Sequence, residues 1–173
     1  MTNIMIDVET LGVRPGSVIL SIGAVAFDAV KITGRYHKNI NTKTCLEAGL
    51  ETDPETLAWW QDQDEAARQV ITKAATTGEP IASTLWDFRN WFHRNGKLAW
   101  GNGADFDLPI VSEAFRRCGL GLAPWHSYNS RCYRTLKNLR PDIQIVRVGM
   151  HHDALSDAES QALHAIALLK AIG

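Results

Sequence analysis

The chain has 173 residues, 45% of them hydrophobic and 21% charged, with a formal net charge of −1. This balance fits one globular domain spanning 1–173 and excludes a protein drawn to nucleic acid by an overall basic field, so any such binding must be local. Three cysteines (Cys45, Cys118 and Cys132) without CxxC spacing argue against a disulfide framework or zinc site; no basic-then-apolar leader and no membrane-length apolar stretch is visible, and a cytoplasmic location follows as the expectation.

The first strand is expected over Asn3 to Glu9, followed by a turn from Leu11 to Gly16 marked by Gly12, Pro15 and Gly16. Val18 to Phe27 is β-rich, and Gly23 inside it signals a bulge or a close backbone approach. Lys31 to Ile40 alternates as a third strand, so an antiparallel meander opens the domain. Asp53 followed by Pro54 starts a helix running through Trp59 and Trp60, and a second helix covers Glu65 to Ala74. Leu85, Phe88, Trp91 and Phe92 give helical spacing to Ile81 to His93.

Lys97 to Trp100 reads as a short strand entering the Gly101-Asn102-Gly103 turn, with a helix from Leu108 to Arg117 ended by Gly119. A brief strand over Trp125 to Tyr128 and a helix over Arg131 to Leu139, stopped before Pro141, follow. Asp153 to Ile172 is an Ala- and Leu-rich amphipathic helix. The order suggests an α/β fold, a mixed sheet with helices packed on it.

Chemistry concentrates in acidic residues. Asp7 and Glu9 lie two apart on the first strand and therefore point to one face, where they repel and are costly to desolvate. A divalent cation with oxygen ligands removes both problems; an exposed strand end would do so without chemistry. Asp105 and Asp107 fall where a strand gives way to a helix, a place for functional groups and equally for a helix cap. Asp157 sits within the last helix, one turn after Ala154 and one before Gln161. Small Ala154 would let that face approach the sheet and bring Asp157 to the first strand, although a solvated helix acid has the same pattern. His152 is a candidate proton acceptor or a surface loop histidine, and Asp153 reads as a helix start.

In order, these pieces resemble the DEDDh branch of the 3′–5′ exonucleases, which have a ribonuclease H-like fold. Asp7, Glu9 and Thr10 match the first motif, Asp-x-Glu-Thr; Asn102, Phe106 and Asp107 match the second; His152-Asp153-Ala154-Leu155-Ser156-Asp157-Ala158 matches the third. The alignment selects Asp107 over Asp105 and His152 over His151, and it extends from residue 4 to about 165. Thr56-Leu57-Ala58-Trp59-Trp60 and Trp100-Gly101-Asn102-Gly103 look like the exonuclease VIII-type and mycobacterial exoribonuclease-type subgroup of phages and bacteria. That subgroup often has Arg-Asp where this chain has Arg131-Cys132, so Cys132 receives no role.

The resemblance implies a metal-dependent enzyme releasing nucleoside 5′-monophosphates from 3′ ends of single-stranded RNA or DNA. It implies two Mg²⁺ or Mn²⁺ ions, with Asp7 bridging them, Glu9, Asp107 and Asp157 completing their shells, and His152 as general base. Thr10 and Leu11 would meet the terminal nucleotide, Leu11 packing on its base, with Asn102 and Phe106 nearby. Homodimers occur among relatives. A catalytically silent nucleic-acid-binding domain of the same fold is the alternative, against which four retained acids and His152 count.

Six tryptophans offer stacking surfaces, yet Trp86, Trp91 and Trp100 occupy core-like positions. Adjacent Trp59 and Trp60 cannot both face the core, and Trp60 is the candidate to reach substrate. Arg131, Arg134, Lys137 and Arg140 recur every three residues, a spacing compatible with a phosphate-tracking stripe or a solvated face.

Overall fold

The computed structural model describes residues 2–150 and 152–173. Five strands form one sheet: β1 (Asn3–Thr10), β2 (Ile19–Phe27), β3 (Ile32–Asn39), β4 (Leu98–Gly101) and β5 (Ser130–Cys132), in the order β3-β2-β1-β4-β5. The β1–β2 and β2–β3 pairs are antiparallel, as a meander requires, whereas β1–β4 and β4–β5 are parallel. Interior β2, between β3 and β1, is buried at all nine positions, which explains its nearly continuous apolar sequence.

Helices cover both faces. Opposite sides of β1 feed two cores, because successive side chains alternate. Ile4, Ile6 and Val8 join a large cluster with α3 (Glu65–Thr77), α4 (Ile81–Asn95) and α5 (Asp107–Arg117), through residues such as Val70, Phe88, Phe92 and Phe115. Met5 faces the other way, into a smaller cluster with Val25, Phe27, Trp100, α6 (Tyr133–Asn138) and α7 (Ala154–Ile172). Asp7 and Glu9 share the face of Met5, the side on which α7 lies.

Gly23 is a point of close approach. It pairs with Asp7 across the sheet, and a Cβ there would lie 2.2 Å from the carbonyl carbon of Ala154, the first residue of α7. Only glycine on the strand lets the two backbones meet beside Asp7. The start of α7 is fixed by Asp153, whose side chain accepts from the Ser156 N–H at 2.9 Å. Asp53 caps α2 (Pro54–Gln61) in the same way, accepting from the Glu55 N–H at 2.9 Å.

Several expectations change. A short helix, α1 (Thr42–Glu47), follows β3, capped by Asn41; its six residues are too few to show a period. Trp125 to Tyr128 is not a strand: Ser127–Asn129 is a 3₁₀ turn, and Trp125 is buried against Phe92 at 5.6 Å between ring centres. The strand comes next, at β5, too short and polar to announce itself. Helix α6 therefore starts only at Tyr133, leaving Arg131 in β5 and Arg140 beyond the helix. The four basic residues do not share one helix face: Arg131 bonds the Tyr128 and Ser130 carbonyls, and Arg140 pairs with Asp142. Trp86 is exposed on the outside of α4, under Arg89, instead of joining the core. Among the described residues no helix is long and apolar enough to cross a membrane.

Candidate active site

Four carboxylates from three parts of the chain reach one cleft of about 540 Å³. Asp7 and Glu9 come from the end of β1, Asp107 from the first residue of α5, and Asp157 from the first turn of α7. Each is positioned by a different local device. Asp107 is buried because Gly101 leaves room for it; a Cβ on Gly101 would sit 3.2 Å from Asp107 Oδ2. Its two oxygens accept from the Val8 N–H at 3.2 Å and the Asn102 N–H at 2.9 Å, which ties α5 to both β1 and the turn after β4. Asp7 Oδ1 accepts from Gln161 Nε2 at 2.8 Å, one helical turn beyond Asp157 on α7. Asp157 accepts from the His152 N–H at 3.1 Å and pairs with the Arg147 guanidinium.

Gathering four acids in a buried place is electrostatically adverse. Burial holds Asp7 well above the usual carboxylate range, and Asp107, Glu9 and Asp157 push it further. Burial likewise raises Glu9 to about 8, helped by Asp157, Asp107 and Asp153. Asp107 rises to about 6 through burial, opposed by the Asn102 and Val8 N–H groups and by Arg134. Charges arranged against their own solvation are a mark of a functional site. The oxygen-rich donor set suits a hard divalent cation such as Mg²⁺ or Mn²⁺. Glu9, His152 and Asp157 each place one potential ligand atom within 4.8 Å of the others.

His152 enters the cleft on strained backbone. Its φ of +57° is left-handed, a conformation uncommon outside glycine and enriched at functional sites. Its N–H bond to Asp157 and an edge-on packing of its ring against Trp59 and Trp60, with centroids 5.2 and 6.1 Å away, help hold it there. His151 lies outside the described residues.

The tryptophan pair divides its work. Trp60 is 1% exposed, and its Nε1–H donates to the Thr10 carbonyl at 2.8 Å, pinning the end of β1. Trp59, 43% exposed, presents more of its ring, and both rings line the cleft. Leu11 is the residue that the resemblance sets against the terminal base. It is 6% exposed and sits in the larger core, because its N–H bonds the Val18 carbonyl and turns the residue inward. Val13, 56% exposed, is an apolar residue lining the cleft. Thr10, Asn102 and Phe106 do line the cleft, as does Arg134, whose Nη2 donates to the Asn102 carbonyl at 2.7 Å.

Sequence reasoning did not assign Gln161, Arg147, Trp59 or Val13 to the site. Gln161 had a signal, being one turn from Asp157 on the same helix face. Arg147 had none, since it comes from an irregular segment between α6 and α7.

Residues 2–169 match the family model described as the 3′–5′ exoribonuclease Rv2179c-like domain. No curated protein sequence matches the chain. Among solved structures, a full-length 3′-exonuclease superimposes with a TM-score of 0.66 at 10% identity, covering 98% of this chain and 82% of that one. Exonuclease X, solved in complex with 5′-overhanging duplex DNA, superimposes with a TM-score of 0.58 at 18% identity, covering 98% and 92%. The mixed sheet with helices on both faces is thus the ribonuclease H-like fold of such exonucleases.

Proposed function

The chain belongs to the Rv2179c-like 3′–5′ exoribonuclease domain family, and on that premise we propose a metal-dependent exonuclease that shortens single-stranded RNA from its 3′ end and releases nucleoside 5′-monophosphates. RNA is preferred to DNA here because the family is described by its action on RNA. The observation that carries the mechanistic part is the convergence of Asp7, Glu9, Asp107 and Asp157 in one cleft, with the carboxyls of Asp7, Glu9 and Asp107 raised by burial and those of Asp7 and Glu9 raised further by neighbouring acids. A set of buried acids facing a polyanion has no use in simple binding, and becomes sensible once divalent cations offset it.

In this reading the four acids hold two Mg²⁺ or Mn²⁺ ions, as in the DEDDh exonucleases the sequence resembles. When bound, such ions supply charge stabilisation at phosphorus and at the leaving 3′ oxygen. The chain's own residues do the rest. His152 takes the proton from the attacking water, its ring set in the cleft by Trp59, Trp60 and the left-handed backbone. Gln161 holds Asp7 in one orientation, and the Val8 and Asn102 N–H groups do the same for Asp107. Trp59 and Val13 offer apolar surface for the terminal base, while Thr10, Asn102 and Phe106 line the space for its sugar and phosphate.

The test uses 5′-labelled RNA and DNA of one sequence, each with a 3′ hydroxyl or a 3′ phosphate, incubated with Mn²⁺ or with chelator. The expected result is stepwise shortening of the 3′-hydroxyl RNA, only with metal, and release of 5′-monophosphates. Cleavage of the 3′-phosphate substrate at internal positions would make the protein an endonuclease. No cleavage with metal at any pH would leave a silent binding domain.

A further inference from the structure

The segment between α6 and α7 delivers a cation to the acid cluster, and holding metal gives that cation no role. Arg147 Nη1 donates to Asp157 Oδ1, while Asp157 Oδ2 accepts from the His152 N–H at 3.1 Å. Both oxygens of one acid are therefore engaged by donors of the protein itself. The backbone beside Arg147 is anchored to α7: the Val148 N–H donates to Ser160 Oγ at 2.9 Å, and His164 Nε2–H donates to the Ile143 carbonyl at 2.9 Å. The side chain is less confined, with 51% of its surface exposed, and it lines the cleft. Arg134, the other arginine of the cleft, differs in being bonded to the Asn102 carbonyl and not to a carboxylate.

A fixed backbone carrying a half-exposed guanidinium suits a side chain with two resting places. A divalent cation at Asp157 and the guanidinium would compete for one carboxylate oxygen and repel each other. Released from Asp157, the guanidinium remains tethered at the lip of the cleft, where its planar fork fits two oxygens of a phosphodiester.

We propose that Arg147, paired with Asp157, competes with a divalent cation for that carboxylate and turns to a backbone phosphate of the nucleic-acid substrate when a cation engages Asp157. The inference rests on the metal-dependent nuclease reading above. It makes Arg147 a placeholder in one state and a substrate-binding residue in the other, and the two roles respond to mutation in opposite directions.

Arg147→Met separates them. In calorimetric titration with Mn²⁺ alone, this variant should bind the ion about two- to fivefold more tightly than wild type, because a partly exposed competitor is gone. With labelled RNA and saturating Mn²⁺, its KM should rise about tenfold with a smaller change in kcat, and the salt dependence of binding should weaken by about one counterion. Arg147→Lys, which keeps the charge without the fork, should restore Mn²⁺ affinity to near wild type and recover part of the KM. A merely structural role would weaken metal and substrate binding together, and that result overturns the proposal. So does an unchanged KM, or a Lys variant that behaves like the Met variant. If wild type itself binds no Mn²⁺, the nuclease reading fails first, a result distinct from all of these.

Discussion

The two faces of β1 are one residue apart and have opposite tasks. Ile4, Ile6 and Val8 are buried in the larger core, a cluster that also includes apolar side chains of α3, α4 and α5. Asp7 and Glu9, from the alternate positions, look toward α7, where burial works against them. One face stabilises the fold; the other stores unfavourable electrostatics that a divalent cation can relieve. A single strand can do both because side chains alternate with a period of two, so the functional pattern does not interrupt the packing pattern.

Mutations on the two faces should therefore fail differently. The largest loss is expected from Asp7→Ala or Asp157→Ala, which should abolish cleavage while circular dichroism and thermal unfolding remain those of a folded protein. Retention of more than about a tenth of the wild-type rate would contradict their role in holding the ions. His152→Ala should slow cleavage by about 10²–10⁴-fold and leave Mn²⁺ affinity largely intact; a large loss of affinity in calorimetry would instead make it a ligand. Ile6→Ala, on the opposite face, should reverse the pattern. It should cost about 2–5 kcal/mol in chemical denaturation yet keep kcat near wild type where the protein is folded. The smallest change is expected for Trp59→Ala, which loses a stacking surface worth about 1–3 kcal/mol and should show it in KM. Equal effects on KM from Trp59→Ala and Trp86→Ala would remove Trp59 from the site.

Much of this division was legible in the sequence, for definite reasons. Asp7 and Glu9 stand out as two acids on one strand face, whereas the resemblance to the DEDDh exonucleases, and not local order, selects Asp107 over Asp105 and groups Asp157 with them. The close approach of α7 to the sheet was signalled by Gly23 and Ala154. What escaped notice depends on three-dimensional neighbours. Leu11 and Val13 are both apolar and two residues apart, so only the hydrogen bond that folds Leu11 inward tells which one reaches the cleft. Trp59 and Trp60 are neighbours on one helix, and the carbonyl that captures Trp60 belongs to Thr10, fifty positions earlier. Strand β5 has three residues and no apolar alternation, so its pairing to β4 cannot be read locally. Arg147 lies in a segment with no period at all, and its partner is set by the tertiary fold.

The most direct test of the account is the thermal stability of the protein against pH, with and without Mn²⁺. Glu9 titrates at about 8 in the folded state against an ordinary 4.5, and Asp107 at about 6 against 3.8. Groups raised in this way add stability that is complete below their ordinary values and is lost as pH rises through the folded ones. Metal-free protein should therefore melt at progressively lower temperature from about pH 4 to about pH 8. Mn²⁺ should restore the loss at pH 8, since it binds the folded acids. Asp7→Asn should raise the metal-free melting temperature at pH 8 and abolish the response to Mn²⁺. A wild-type melting temperature indifferent to Mn²⁺ at pH 8 would contradict the claim that these four acids form a cation site.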